Sequence, residues 1–218
     1  MQSNVPAWAT RYRHVVVEGP IGAGKTSLAR RLAQASGAHL VLEQPDENPF
    51  LARFYRDRAR YALQTQLFFL FQRVQQLRDL QQLDLFHGLV VGDFLLDKDA
   101  LFARLTLADD ELKLYDQIHA QLAPQATAPD LVVYLQAAPD TLAERVARRG
   151  NVSENGITTA YLRALSDSYT RFFHQYDAAP VLVVDTEHLN PIERDDDFKL
   201  LTERIERMRG RREQFNLG

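Results

Sequence analysis

Cysteine is absent from the 218 residues. That excludes disulfides, zinc thiolates and a cysteine nucleophile, and it fits a reducing cytoplasm. Charge of one sign is not in excess either. The 26 Lys and Arg stand against 29 Asp and Glu, a formal net charge of −3, so there is no basic surplus for gripping a nucleic acid polymer. No apolar run approaches the roughly 18–20 residues a membrane helix needs, and no membrane association is expected. Residues 1–13 mix polar side chains with Pro6 and Trp8, without an apolar targeting core, and read as a short arm. The six histidines fall at no metal-ligand spacing. There is no repeat of fixed period and no Gly/Ser/Pro linker to split the chain. What remains is a globular composition, 45% hydrophobic and 25% charged, in a chain long enough for one continuous core.

Strand and helix patterns alternate. Short β-branched or apolar runs at His14–Glu18, Leu40–Glu43, Leu89–Val91, Leu131–Leu135 and Val181–Asp185 predict five strands. Helical patterns fall between them, over about 27–35, 58–83, 99–105, 109–122, 140–149, 158–176 and 195–208. In the longest, Leu63, Leu67, Leu70, Phe71, Val74, Leu77 and Leu80 keep 3–4 spacing, a packing stripe for the core or a dimer face. Five apolar strands separated by helices imply an α/β three-layer fold, a parallel sheet covered by helices on both faces. Ligands of such sheets sit at the carboxyl ends of the strands.

The first of those ends carries Gly19-Pro20-Ile21-Gly22-Ala23-Gly24-Lys25-Thr26, which matches G-x-x-x-x-G-K-[ST], with Ser27 entering the helix behind it. Glycines let backbone amides converge on phosphate oxygens, Lys25 supplies a point charge, and Thr26 offers a hydroxyl to Mg²⁺. A strand before and a helix after give the motif its proper context, with a helix N-terminus facing the anion. The chain is therefore expected to bind ATP or another nucleoside triphosphate. A phosphate loop does not name the acceptor. Glu43 ends the second predicted strand and Asp93 follows the third, so both are expected in the crevice with Lys25. One carboxylate can take a proton from an acceptor hydroxyl while the other holds Mg²⁺. Strand-end acids that only cap helices are the competing reading. No N-K-x-D base-reading motif of a GTPase occurs.

Glu43-Gln44-Pro45, Asn48-Pro49-Phe50-Leu51, Phe54-Tyr55 and Leu63-Gln64-Thr65-Gln66-Leu67-Phe68-Phe69 together resemble the bacterial deoxynucleoside kinase family. Arg149-Gly150, Glu154-Asn155-Gly156-Ile157 and Tyr161-Leu162 resemble its lid, placed at about 145–156. Asp195-Asp196-Asp197-Phe198 resembles its adenine-side loop. The resemblance covers about His14 to Met208. It implies a single P-loop kinase domain over 14–210 with a C-terminal tail over 211–218. The activity implied is transfer from Mg-ATP to the 5′-hydroxyl of a deoxynucleoside, a purine one first, in a cytoplasmic homodimer. It makes Glu43 the general base and puts Asp93 beside Mg²⁺. Tyr55 and Glu154 would hold the sugar 3′-hydroxyl, and Gln64 and Asp99 would read the base edge. Arg145 and Arg149 would fold over the transferring phosphates. Plainer readings stand beside these: Phe54 and Tyr55 as core aromatics, Gln64 as a helix-surface residue, the arginines 145, 148 and 149 as a solvated face. The basic stretch Arg207–Arg212 reads as a solvated end.

Two positions depart from the pattern. After Asp93 the family usually carries Arg and then Ser or Thr, whereas this chain has Phe94-Leu95. Two residues past Arg149, where another arginine is common, stands Asn151. Lys98 and Arg148 are the expected substitutes. Three alternatives stay open: a thymidylate-kinase-like enzyme acting on a nucleotide, whose acceptor phosphate would need an arginine where Phe94 stands; a non-catalytic nucleotide-binding module, which the missing arginines favour; and a small-metabolite kinase acting on another alcohol.

Overall fold

The computed structural model describes residues 6–83, 88–122, 128–151, 154 and 156–216. Residues 1–5 of the arm, 152, 153 and Asn155 of the expected lid, and 217–218 of the expected tail lie outside the described residues.

The β-branched runs form strands where the pattern places them: β1 His14–Glu18, β2 His39–Val41, β3 Val90–Gly92, β4 Leu131–Gln136 and β5 Val181–Asp185. They pair in parallel in the order β2-β3-β1-β4-β5, and a sixth strand, β6 Arg212–Phe215, extends the sheet beyond β5. Asp130 accepts the backbone N–H groups of Arg13 (2.6 Å) and His14 (2.9 Å), which sets the start of β1 beside β4. Along β1 the side chains alternate between two cores. Val15 and Val17 join Leu28, Leu32 and Leu201 on one face, and Val16 joins Tyr134, Leu165 and Phe173 on the other. Both faces being covered is what makes the central strands apolar without interruption.

β6 corrects one expectation, the five-stranded sheet; the basic residues Arg207, Arg209, Arg211 and Arg212 are exposed, as a solvated end would have them, but Arg212 begins a strand. Its register runs Val181↔Arg212 to Val184↔Phe215. The Arg212 guanidinium donates to the carbonyls of His174 (2.7 Å) and Tyr176 (2.8 Å), and the Glu213 carboxylate accepts the N–H groups of Arg209 and Gly210. An edge strand needs no apolar run and is commonly charged, so hydropathy does not reveal it.

The helices are α1 Ala7–Arg11, α2 Lys25–Ser36, α3 Leu51–Arg56, α4 Arg58–Leu83, α5 Asp99–Thr106, α6 Asp109–Leu122, α7 Pro139–Arg149, α8 Thr159–Gln175 and α9 Asp195–Arg207. The N-terminal arm is docked through α1. Trp8 is buried in the main core, the Tyr12 hydroxyl donates to the Ile205 carbonyl, and Arg11 donates to that of Glu206. α4, about 39 Å long at 1.5 Å per residue, crosses beside the carboxyl end of the sheet. α8 is capped by Thr158, whose hydroxyl accepts the Tyr161 N–H at 3.2 Å. From β1 the chain first builds β2 and β3 on one side and then β4 on the other. The carboxyl end of β1 is therefore the switch point where such sheets bind ligands.

Candidate active site

The phosphate loop occupies that switch point, between β1 and α2. Gly22 has φ +87°, and a Cβ there would stand 2.7 Å from the Leu142 carbonyl of α7, so no larger residue fits this wrap of the loop. Lys25 Nζ donates to the carbonyls of Gly19 (2.8 Å) and Pro20 (3.3 Å). Burial lowers the lysine pKa, and nearby Lys98 lowers it further against the pull of Glu18, Glu43 and Asp93. Thr26 Oγ1 donates to Asp93 Oδ2 at 2.5 Å, and Asp93 Oδ1 accepts the Glu43 N–H at 2.7 Å. Burial pushes the Asp93 carboxyl up while the Thr26 hydrogen bond opposes it. Lys25, Thr26, Glu43 and Asp93, far apart in sequence, thus meet at one corner.

That corner opens into a cavity between α4, α5 and α8. Glu43 lines it, gripped by Arg73: Nε donates to Oε1 at 2.9 Å, and a second guanidinium nitrogen reaches the same oxygen. Burial alone would raise the Glu43 carboxyl. Arg73, then Lys98, then Lys25 overcome that and hold it at about 2. Arg73 is itself buried, lies 4.9 Å from the Phe69 ring centroid, and forms a second ion pair with Asp99. Tyr55 and Glu154 also line the cavity. Burial raises the Tyr55 hydroxyl pKa, keeping it a donor, and the ring meets Tyr161 edge-on at 6.5 Å. Gly156 lets the lid segment close on this wall, since a Cβ there would stand 2.4 Å from the Tyr55 carbonyl oxygen.

Several expected site residues lie elsewhere. Gln64 is exposed and does not line the cavity; Gln66, buried, does. Two residues turn an α-helix by about 200°, which places the neighbouring glutamine on the opposite face. Gln66, Phe69 and Arg73, at i, i+3 and i+7, share the inner face. Asp99 sits behind Arg73 rather than in the lining. Burial pushes its carboxyl up to about 6 against the pull of Arg73 and Lys98, and Oδ2 has no hydrogen-bond partner among the described residues.

A second cavity lies on the other side of the phosphate loop, between α7 and the 186–193 segment. Arg145 and Arg148 face it, and Arg149 lines both cavities. Arg145 does not fold over the phosphate corner. It donates to the Thr186 hydroxyl (2.9 Å) and carbonyl (2.7 Å) at the end of β5. Arg149 pairs with Glu154, its Nε donating at 3.1 Å. Asp195, Asp196, Asp197 and Phe198 are absent from the described lining. They form the first turn of α9, where acids suit the helix dipole. Asp195 pairs with Arg31, which lies 4.3 Å from the Phe198 ring centroid, and the Asp197 carboxylate accepts the Asn190 N–H at 2.7 Å. Asp197 thereby shapes the loop, while Asn190, Pro191 and Ile192 line the cavity.

Arg73, Gln66, Glu18 and Tyr169 are the site residues that sequence reasoning passed over. The signal for Arg73 was a lone arginine between Leu70, Val74 and Leu77 of an apolar stripe, where a charge demands a buried partner.

Comparison with known proteins agrees with this geometry. The chain is 32% identical over 199 residues to a deoxyguanosine kinase of Bacillus subtilis, covering 89% of this chain and 96% of that protein. It is 28% identical over 190 residues to a deoxyadenosine kinase of Lactobacillus acidophilus, covering 81% and 86%. The structure of deoxyadenosine kinase from M. mycoides with bound dATP superposes with a TM-score of 0.76 at 23% identity, covering 88% of this chain and 98% of that one, and shares the fold. The sequence model described as Deoxynucleoside kinase matches residues 15–208. That match runs from β1 to the end of α9: the chain belongs to the deoxynucleoside kinase family and is an enzyme that transfers a phosphoryl group from a nucleoside triphosphate to a deoxynucleoside.

Proposed function

We propose that this chain converts a purine deoxynucleoside to its 5′-monophosphate at the expense of Mg-ATP. One observation carries the reading: Glu43 stands where the phosphate-loop corner opens into the cavity lined by Tyr55, Gln66 and Glu154. A 5′-hydroxyl presented there lies between a carboxylate and the γ-phosphoryl group. Transfer is in line, with Glu43 orienting the hydroxyl and accepting its proton while Lys25 and Arg149 hold the phosphoryl oxygens. Thr26 and Asp93 are adjacent hard oxygen donors that fit Mg²⁺, which takes few protein ligands and fills its sphere with phosphate and water oxygens. When bound, that ion neutralises phosphate charge.

Tyr55 and Glu154 fit the sugar 3′-hydroxyl, as donor and acceptor. Glu154→Ala is expected to raise KM for the nucleoside about tenfold or more, on the order of 1.5–3 kcal/mol for a charged hydrogen bond, and KM for ATP far less. A 3′-deoxy analogue should lose nothing further in the variant; equal losses for analogue and parent would place the contact elsewhere.

For the base, Gln66 offers a donor and an acceptor together, and Asp99 acts through the Arg73 guanidinium it holds. The purine preference also draws on the relatives, named deoxyguanosine and deoxyadenosine kinase. A competition assay tests it: deoxyadenosine and deoxyguanosine should outcompete thymidine, and thymidine as the best substrate would refute it. Position 94, where a kinase acting on a nucleotide would need an arginine for the acceptor phosphate, holds buried, apolar Phe94, which counts against the thymidylate-kinase-like alternative. Phe71 on α4 and Leu114 on α6, 54% and 47% exposed, support a homodimer through this helix pair. No helix among the described residues is long and apolar enough to cross a membrane, and the proposed setting is the cytoplasm.

A further inference from the structure

Glu18, the last residue of β1, has no solvent exposure and does not line the acceptor cavity. Four donors surround its carboxylate. The Gly19 N–H (2.9 Å) and the Tyr169 hydroxyl (3.0 Å) donate to Oε1, the Leu95 N–H donates to Oε2 (2.9 Å), and Lys98 Nζ lies 3.3 Å from Oε2. Tyr169 is held in place by its neighbours: its ring stacks on Tyr134 at 6.1 Å and meets Phe102 edge-on at 6.1 Å. Lys98 is 2% exposed, yet its ammonium reaches the cavity and lies 3.6 Å from Glu43 Oε1.

Position 94 explains why a lysine is buried here. Phe94 supplies no charge where the related motif has arginine. The chain then makes a 3₁₀ turn over Leu96–Lys98, with the Lys98 N–H donating to the Leu95 carbonyl at 3.3 Å. That turn brings a cation four residues further on back to the carboxyl end of β3. Two anions 3.3 and 3.6 Å away leave a lysine little freedom, and a buried carboxylate with four donors is a rigid anchor.

We propose that Lys98 supplies the cation of the phosphoryl-transfer centre that Phe94 cannot, and that Glu18 and Tyr169 are positioning residues that aim it at Glu43. Arg73 and Lys98 both load Glu43 Oε1, which leaves Oε2 to accept the hydrogen bond of the acceptor hydroxyl. The inference deepens the kinase reading above and rests on it.

Steady-state kinetics of the full chain test it. Lys98→Met should lower kcat at least tenfold with both KM values within about twofold, because a group at the reacting atoms stabilises the transition state more than the ground state. Lys98→Arg should recover most of that loss. Tyr169→Phe deletes the hydroxyl that donates to Glu18 Oε1, the oxygen that Lys98 Nζ also approaches at 3.5 Å, and keeps the ring. It should lower kcat about three- to fivefold at unchanged melting temperature. Lys113→Ala, an exposed lysine on α6, should leave both parameters unchanged. Unchanged kcat in both Lys98→Met and Tyr169→Phe, in a chain whose wild type is active, overturns this proposal alone. So does a loss in each variant that only tracks the folded fraction. A wild-type chain that transfers no phosphoryl group overturns the kinase reading and this proposal together.

Discussion

Glu43→Gln is expected to lower kcat about 10²–10⁴-fold while ATP still binds normally. Glutamine keeps the size and one carbonyl oxygen, so the hydroxyl can still be approached. The charge that orients it and receives its proton is gone. A carboxylate held at about 2 is a weak base, which suits a loose transition state in which the hydroxyl proton leaves late. Arg73 retains Asp99 in the variant, so the guanidinium is not stranded, and the fold should survive. The pH consequence has a definite sign. The folded pKa of Glu43 lies below its ordinary 4.5, so its contribution to stability is complete above 4.5 and is lost as pH falls through about 2. Glu43 should therefore place no ionisation limb on kcat between pH 5 and 8. Rapid-quench turnover with calorimetric ATP binding checks the variant; near-normal turnover means another group takes the proton.

Lys25→Ala is expected to cut kcat/KM for ATP about 10²–10³-fold, the scale of one preorganised charge at a transferring group, about 2.7–4 kcal/mol. The lysine contributes to phosphate charge rather than to core. Its Nζ contacts are the two loop carbonyls of Gly19 and Pro20, and its neighbours Glu18, Glu43 and Asp93 are each held by other donors. The melting temperature should accordingly move little. Lys25→Arg should rescue poorly, because a planar guanidinium cannot take the place of a compact ammonium inside a loop this tight. Full activity in the alanine variant would remove the phosphate-loop argument.

How far the sequence reveals this molecule depends on what each feature rests on. The central strands and long helices were legible because burial imposes a period on them, and β1, α4 and β5 begin and end where the pattern puts them. β6 escaped because an edge strand with charged residues, held by backbone pairing and by polar contacts of Arg212 and Glu213, carries no apolar run to mark it. The corner of Lys25, Thr26, Glu43 and Asp93 was legible because strand ends of a parallel sheet converge. Gln64 and Gln66 differ only in helix phase, and the motif resemblance that pointed to Gln64 does not fix that phase. Asp195–Phe198 carries acids for a helix start and an Arg31 contact, while the loop before it lines the cavity. Arg73 was hidden because its partners, Glu43 and Asp99, lie 30 and 26 residues away in sequence.

The central claim is phosphoryl transfer to an unphosphorylated deoxynucleoside at the Glu43 corner. Its most direct test incubates the purified chain with Mg²⁺, γ-labelled ATP and, separately, deoxynucleosides, deoxynucleoside monophosphates and unrelated alcohols, and then identifies the labelled product. The account predicts label in a deoxynucleoside 5′-monophosphate, strongest with the purines and lost with Glu43→Gln. Label in a diphosphate made from the monophosphates, or ATP turnover indifferent to any deoxynucleoside, would contradict it.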